Sequence, residues 1–268
     1  MLPKRCINYL KMKIVILAGG FGTRLSEETI IKPKPMVEIG NKPIIWHIMK
    51  YFSHYGYNEF VIALGYKAEF IKEYFIKYQS LDGDFFLNFQ SNEIKQKKSN
   101  KENWKVHLVD TGINTLTGGR VKKLESLLSN ERFLLTYGDG LSNINIKSLV
   151  KFHSTQKKSI VTITAVRPPA RFGGIKFSRN RVKSFAEKSQ VDEGWINGGF
   201  MVVDPEIFKF FRKGDKTIFE SDVLEAVAKK KLLTAYKHNG FWQCMDAMRD
   251  KYLLESLWKQ KNPPWKVW

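Results

Sequence analysis

Between Ile14 and Pro35 the chain reads IVILAGGFGTRLSEETIIKPKP, and this stretch restricts what can be built around it. Ile14 to Leu17 is a short apolar run rich in β-branched side chains, which predicts a buried strand. Ala18-Gly19-Gly20 follows at once, so the strand ends in a turn of exposed backbone. Gly19, Gly20 and Gly22 lack a Cβ, so the turn can adopt unusual dihedrals and aim successive N–H groups into one concavity that suits an anion. Arg24, Lys32 and Lys34 add cations, and Pro33 and Pro35 stiffen the segment carrying the last two. The expectation is a polyphosphate cradle. A glycine turn after a first strand also serves close strand–helix packing in many α/β folds. Neither familiar phosphate motif is present: Leu25 stands where the dinucleotide fingerprint needs a third glycine, and Gly22-Thr23-Arg24 is not the Gly-Lys-Ser/Thr of a P-loop.

The elements that follow alternate. Val37 to Ile39 reads as a brief strand, Ile44 to His54 as an amphipathic helix, Glu59 to Leu64 as a second buried strand and Ala68 to Tyr78 as another helix. That rhythm predicts a parallel sheet with helices on both faces. It breaks after Phe85, where FFLNF and WKVHLV read as strands and the polar span Gln90 to Asn103 as a mobile surface connection, a flap or a subunit contact. Thr117-Gly118-Gly119-Arg120 is a second glycine turn ending in a cation, leading into a helix from Val121 to Leu128; a helix start beside an arginine favours an anion. Phe133 to Tyr137 is a strongly apolar strand closed by Gly138-Asp139-Gly140. Ligands of open α/β sheets gather outside the carboxyl ends of strands, so Asp139 is placed either for a metal or to shape a turn. Strands at Ile160 to Val166, Ile175 to Phe177, Val182 to Phe185 and Leu232 to Lys237, and helices at Leu149 to Gln156, Pro205 to Phe211, Phe219 to Lys230 and Ala247 to Trp258, complete the reading. Phe185-Ala186-Glu187-Lys188-Ser189 and Asn197-Gly198-Gly199 offer donors and acceptors for sugar hydroxyls and one phosphate, or else a solvated ion pair and a tight turn. His47, inside an amphipathic helix, reads as a packed or solvated residue.

The 268 residues suffice for one large domain, read as 12 to 268, and no linker divides it. Residues 1 to 11 precede Met12 and read as a frayed extension or a start assigned too early. No apolar run approaches the roughly 20 residues that cross a bilayer, so no membrane partner is expected. The two cysteines, Cys6 and Cys244, have neither disulfide-framework nor zinc spacing and fit a reducing cytoplasm. A net charge of +19 would suit nucleic acid, an anionic surface or an anionic substrate. The basic residues are mostly scattered lysines without interleaved aromatics, which argues against nucleic acid and leaves solubility or attraction of phosphorylated substrates.

The opening string resembles the sugar nucleotidyltransferase signature LxxGxGxRLxxxxxxxPKP, which Leu17, Gly20, Gly22, Arg24, Leu25, Pro33, Lys34 and Pro35 fill. From Met12 onward the chain resembles the glucose-1-phosphate cytidylyltransferases. The match runs through LSEETIIKPKPMVEIGNKPIIWHIMK (Leu25 to Lys50), LVDTG (Leu108 to Gly112), TGGR (Thr117 to Arg120), YGDG (Tyr137 to Gly140), WINGGF (Trp195 to Phe200) and FWQCMD (Phe241 to Asp246). The resemblance implies a Rossmann-like three-layer sandwich with a mixed, mainly parallel sheet, acting on CTP and glucose 1-phosphate to form CDP-glucose with Mg²⁺. It assigns Leu17, Ala18, Gly19, Gly20, Phe21, Gly22, Thr23, Arg24, Lys34, Thr115, Arg120 and Gly138 to the nucleotide, Asp139 and Asp246 to the metal, and Glu187, Lys188, Asn197 and Gly198 to the sugar phosphate. Arg24, Lys34, Asp139 and Lys188 would carry catalysis, though Ser189 stands where many relatives have Pro. It also implies a cytoplasmic homo-oligomer, a hexamer in the family, that feeds dideoxysugar and surface-polysaccharide (O-antigen) synthesis. A thymidylyl- or uridylyltransferase, or a catalytically silent sugar-nucleotide-binding regulator, are the alternatives.

Overall fold

The run Ile14–Leu17 is a strand buried on both faces in the computed structural model, which describes residues 12–97, 99, 102–169, 174–178, 180–186, 194–260 and 262–268. It lies near the middle of a seven-stranded sheet. Numbered in chain order within that sheet, the strands are β1 Ile14–Leu17, β2 Glu59–Leu64, β3 Lys105–Asp110, β4 Phe133–Tyr137, β5 Val161–Val166, β6 Ile196–Val203 and β7 Leu233–His238. Their spatial order is β7-β5-β6-β4-β1-β2-β3. β6 runs antiparallel to β4 and β5, and every other pairing is parallel. The mixed, mainly parallel sheet expected from the sequence is therefore present.

Alternation along β1 divides the core. Ile14 and Ile16 face the helices Ile44–His54, Ala68–Ser80 and Ile146–Thr155, whereas Val15 and Leu17 face Val121, Leu124 and Leu128 together with Phe219, Val223 and Val227. Helices thus cover both faces, which a parallel sheet requires. The direction of strand order reverses between β1 and β4, where Leu17 pairs with Tyr137. A crevice opens outside the carboxyl ends of strands at such a switch point. The glycine turn and Gly138-Asp139 meet there.

The structure corrects several expectations. Gln90 to Asn103 is not wholly a connection: Glu93–Lys97 is a strand paired antiparallel with Asp84–Asn88. Asn88 Oδ1 accepts from the N–H groups of Gln90 and Ser91 at the hairpin tip. Thr117-Gly118-Gly119-Arg120 is the first turn of a helix, Thr117–Lys123, rather than a loop before one. A Cβ at Gly118 would lie 2.6 Å from Thr217 Cγ2 and one at Gly119 2.7 Å from Asp215 O, so these glycines admit a neighbouring segment. Asn197-Gly198-Gly199 lies within β6, where the register against β5 shifts between Ile163 and Ala165; Gly199 takes a left-handed φ of +80° inside that bulge. The carboxyl-terminal tail returns to the core: Trp265 is fully buried, and the His47 ring is surrounded by Trp46, Trp258, Trp265 and Trp268.

Candidate active site

The glycine turn walls a cavity of about 330 Å³, together with Arg24, Lys34, Pro35, the loop Ile113 to Thr117, Tyr137, Gly138 and Asp139. Of the residues assigned to the nucleotide, Leu17, Ala18, Gly19, Gly20, Phe21, Gly22, Arg24, Lys34, Thr115, Arg120 and Gly138 line it. Thr23 does not; it is exposed in the short 3₁₀ turn Thr23–Leu25. The glycines differ in purpose. Gly22 adopts a φ of +66°, whereas a Cβ at Gly20 would meet open space. A Cβ at Gly19 would fall 2.3 Å from the Arg120 guanidinium, and so would one at Gly65. These two glycines sandwich a side chain.

Arg120 is therefore placed differently from the phosphate contact that the sequence suggested. It is buried, and its guanidinium donates to Gly19 O, Leu64 O, Thr111 Oγ1 and Gly112 O at 2.7 to 2.8 Å, with a longer bond to Ile113 O at 3.3 Å. Burial lowers its pKa, while Asp110 and Asp215 oppose that shift. One cation thus ties the glycine turn to the end of β2 and to the opposite wall of the cavity. Lys123 Nζ supports the same wall through Thr111 O, Thr115 Oγ1 and Asp215.

Lys34 and Asp139 are brought together by a close approach of backbones. Pro35 packs on Gly138, where a Cβ would lie 2.9 Å from Pro35 Cγ and 3.0 Å from Leu17 O. Asp246 joins them although it lies far along the chain. Trp242–Cys244 pairs antiparallel with Gly140–Ser142, Cys244 opposite Gly140, and Met245 N–H donates to Asp139 O at 2.9 Å. Asp250, which the sequence reading did not single out, fixes the backbone on the other side: its Oδ2 accepts from the N–H groups of Asp246 and Ala247 at 3.0 and 2.9 Å. An acidic residue in the first turn of Met248–Lys259 was the available signal.

These constraints converge on one ion cluster. Lys34 Nζ donates to Asp139 Oδ2 at 2.6 Å and to Asp246 Oδ1 at 2.5 Å, and Arg24 Nη1 donates to Asp246 Oδ2 at 2.8 Å. Burial would lower the Lys34 pKa, but the charges and hydrogen bonds of the two aspartates outweigh it and the net shift is upward. Burial likewise opposes ionisation of Asp246, yet Lys34 and Arg24 hold its carboxyl below the usual range. Lys34 and Asp246 therefore both keep their charges at neutral pH. Asp139 and Asp246 supply oxygen donors alone and already face a common cation, a donor set that fits Mg²⁺ with phosphates and water completing it. Among the described residues no group of three or more His, Cys, Asp or Glu could hold a metal. Lys32, the third cation of the expected cradle, faces Glu38 at 3.7 Å instead.

A second cavity of about 230 Å³ shares Arg24, Tyr137 and Asp139 with the first and is walled by Asn197, Gly198, Trp242, Cys244 and Asp246. Asn197 Oδ1 accepts from Gly199 N–H, and Gly198 O accepts from Trp242 Nε1 at 2.7 Å. Tyr137 between the two cavities is held by Glu220, which also accepts from Thr117 Oγ1; the sequence motifs assign a role to neither residue. Glu187 and Lys188 lie outside the described residues. His47 lines neither cavity: its Nε2 donates to Ile39 O at 2.9 Å, and burial pushes its pKa down to about 4.

Residues 13–250 match the nucleotidyl transferase family. The chain is 47% identical over 258 residues to the glucose-1-phosphate cytidylyltransferase of Salmonella typhi, covering 96% of this chain and 100% of that protein. It belongs to this family. Among solved structures, HddC from Yersinia pseudotuberculosis is 26% identical with a TM-score of 0.64, over 91% of this chain and 98% of that one. A UDP-glucose pyrophosphorylase complexed with UDP-glucose, 21% identical with a TM-score of 0.63 over 94% and 98% of the two chains, shares the fold.

Proposed function

We propose that the protein transfers the cytidylyl group of CTP to α-D-glucose 1-phosphate, giving CDP-glucose and pyrophosphate. The observation that carries this reading is the near-complete alignment, at 47% identity, with a glucose-1-phosphate cytidylyltransferase. The geometry agrees: two cavities, one walled by a glycine turn, meet at Arg24, Tyr137 and Asp139. A phosphate oxygen of the sugar phosphate, already ionised at neutral pH, attacks the α-phosphorus of CTP while the bond to pyrophosphate breaks. No side-chain base is needed for that nucleophile. The obstacle is bringing two polyanions together, since unit charges about 4 Å apart repel by about 4 kcal/mol at an effective dielectric of about 20. Positioning and positive charge therefore do the catalysis.

In this reading the triphosphate lies along Gly19 to Gly22. Arg24 forks onto the departing pyrophosphate, Lys34 follows charge at the α-phosphate, and Lys188 holds the sugar phosphate. Asp139 and Asp246 would hold Mg²⁺, which when bound would offset the phosphate charge. Tyr137 separates the nucleotide and sugar compartments.

The protein works as a homo-oligomer, and its contact is the hairpin Asp84–Lys97. Phe86 is 54% exposed and Phe89 86%, with Phe85, Leu87 and Ile94 also open to solvent. A two-stranded hairpin is marginal by itself, so apolar side chains on both of its faces favour a partner. That partner is a second copy: residues 84–97 carry Asp84 and Glu93 against Lys95 and Lys97, a patch without net charge that accepts a neighbour from a chain of net charge +19 without like-charge repulsion. Among the described residues no helix is long and apolar enough to cross a membrane. The reaction would supply precursors of surface glycans in the cytoplasm.

The test is pyrophosphate release with glucose 1-phosphate and Mg²⁺, comparing CTP, UTP, dTTP and ATP. CTP should exceed the others by at least about a hundredfold in kcat/KM, well within the discrimination that hydrogen-bonded readout of a base can supply. Preference for UTP or dTTP would assign a different nucleotide, and silence with all four would point to a binding protein.

A further inference from the structure

The ion cluster contains more cation than a waiting metal site needs. Lys34 contacts one oxygen of each aspartate, and Arg24 takes the remaining oxygen of Asp246. Two carboxylates are thereby matched by two cations before any ligand arrives. The Lys34 and Asp246 side chains are only 12% and 19% exposed, so solvent screens their attraction weakly. A divalent cation arriving alone must compete with Lys34 for those same oxygens while the displaced ammonium remains close by. Like charge within a few ångströms in a half-buried site makes that arrangement costly.

The nucleotide alters this balance, because Lys34, Arg24 and Asp139 also line the larger cavity. Phosphates lying there offer both cations new acceptors without requiring the backbone to move. Pro33 and Pro35 fix the dihedrals on either side of Lys34, and Pro35 is wedged against Gly138. The flexible stem of Lys34 supplies the reach. The carboxylates remain adjacent, since the Met245 to Asp139 backbone bond and the two-stranded ladder hold them independently of Lys34.

We infer that the Lys34 ammonium is the resident counterion of the Asp139–Asp246 pair in the nucleotide-free protein, and that a divalent cation gains the pair only as the nucleotide's phosphates draw Lys34 away. This rests on the reading that the metal works between those two aspartates. Metal and nucleotide affinities are then linked, each raising the other by the same factor. Metal alone binds poorly, and the lysine of the basic segment keeps the paired carboxylates from repelling each other in the resting protein.

Mn²⁺ binding, followed by the loss of the free-ion electron paramagnetic resonance signal, tests this without reference to turnover. Wild type, Lys34→Met and Lys34→Met combined with Asp139→Asn are compared without nucleotide. Lys34→Met should bind Mn²⁺ at least about tenfold more tightly than wild type, the consequence of removing one nearby like charge. Adding Asp139→Asn should erase that gain. Equal Mn²⁺ affinity in wild type and folded Lys34→Met would overturn the inference. A gain that survives Asp139→Asn would overturn the underlying metal assignment instead. The wild type gives a reading that does not depend on any variant folding: CTP affinity measured with and without Mn²⁺ should rise with the metal, and an unchanged affinity would also overturn the inference.

Discussion

At the scale of single residues the site is built from side chains whose partners lie far away in sequence. Asp139→Asn should leave the fold intact and lower turnover by about a thousandfold, because a neutral amide cannot replace the carboxylate charge that would hold a divalent cation beside the phosphates; normal pyrophosphate release from the folded variant would remove Asp139 from the chemistry. Arg120→Met should behave differently. It leaves five acceptors without their common donor in a buried place, so a stability loss of about 3 kcal/mol is expected in chemical denaturation, along with weakened CTP binding. An unchanged denaturation midpoint would contradict that bracing role. Arg24, Lys34 and Asp139 were legible in the sequence because residue type, spacing and family resemblance all pointed the same way. Arg120 was legible as a cation near a glycine turn but not in its orientation, which depends on Gly19 and Gly65 flanking the guanidinium. Lys32 fails for a related reason: proximity along the chain put it beside Lys34, but its side chain pairs with Glu38.

At the scale of elements, strands buried on both faces announced themselves as continuous apolar runs, and β1, β2 and β4 fall where the sequence put them. The hairpin strand Glu93–Lys97 did not, since EIKQK carries a polar pattern and pairs locally rather than in the main sheet. Nor could the bulge in β6 be read, because Asn-Gly-Gly in isolation describes a turn equally well. The least visible device is the joint between Gly140–Ser142 and Trp242–Cys244, which places Asp246 beside Asp139, with Asp250 securing the following turn. Asp250→Ala should therefore lower stability by about 1 kcal/mol, the usual loss for a capping side chain, and weaken metal-dependent turnover more than that figure alone suggests. A variant with wild-type metal dependence would show that the ladder positions Asp246 without Asp250.

At the scale of the whole molecule, the carboxyl-terminal tail and the first long helix are fastened through His47, whose pKa is pushed down to about 4 by burial. Above pH 6.5 the imidazole is neutral in both folded and unfolded chains and its titration contributes nothing. As pH falls below 6.5 the unfolded chain takes up the proton first, so stability declines toward pH 4, by up to about 3 kcal/mol for this group. His47→Gln should flatten that part of the profile in urea titrations at pH 7 and pH 4.5, and an unaltered slope would assign the acid sensitivity elsewhere. Assembly belongs to the same scale: Phe86→Glu combined with Phe89→Glu should lower the sedimenting mass without changing the circular dichroism, and a monomeric wild type would dismiss the hairpin contact.

A crystal structure of the protein with CTP and a divalent metal would show whether the glycine turn holds the triphosphate beside Lys34 and the paired aspartates. The phosphates are expected along Gly19 to Gly22, the α-phosphate within reach of Lys34 Nζ, and the metal between Asp139 and Asp246. A triphosphate bound elsewhere, with Lys34 still seated on both carboxylates, would contradict that placement.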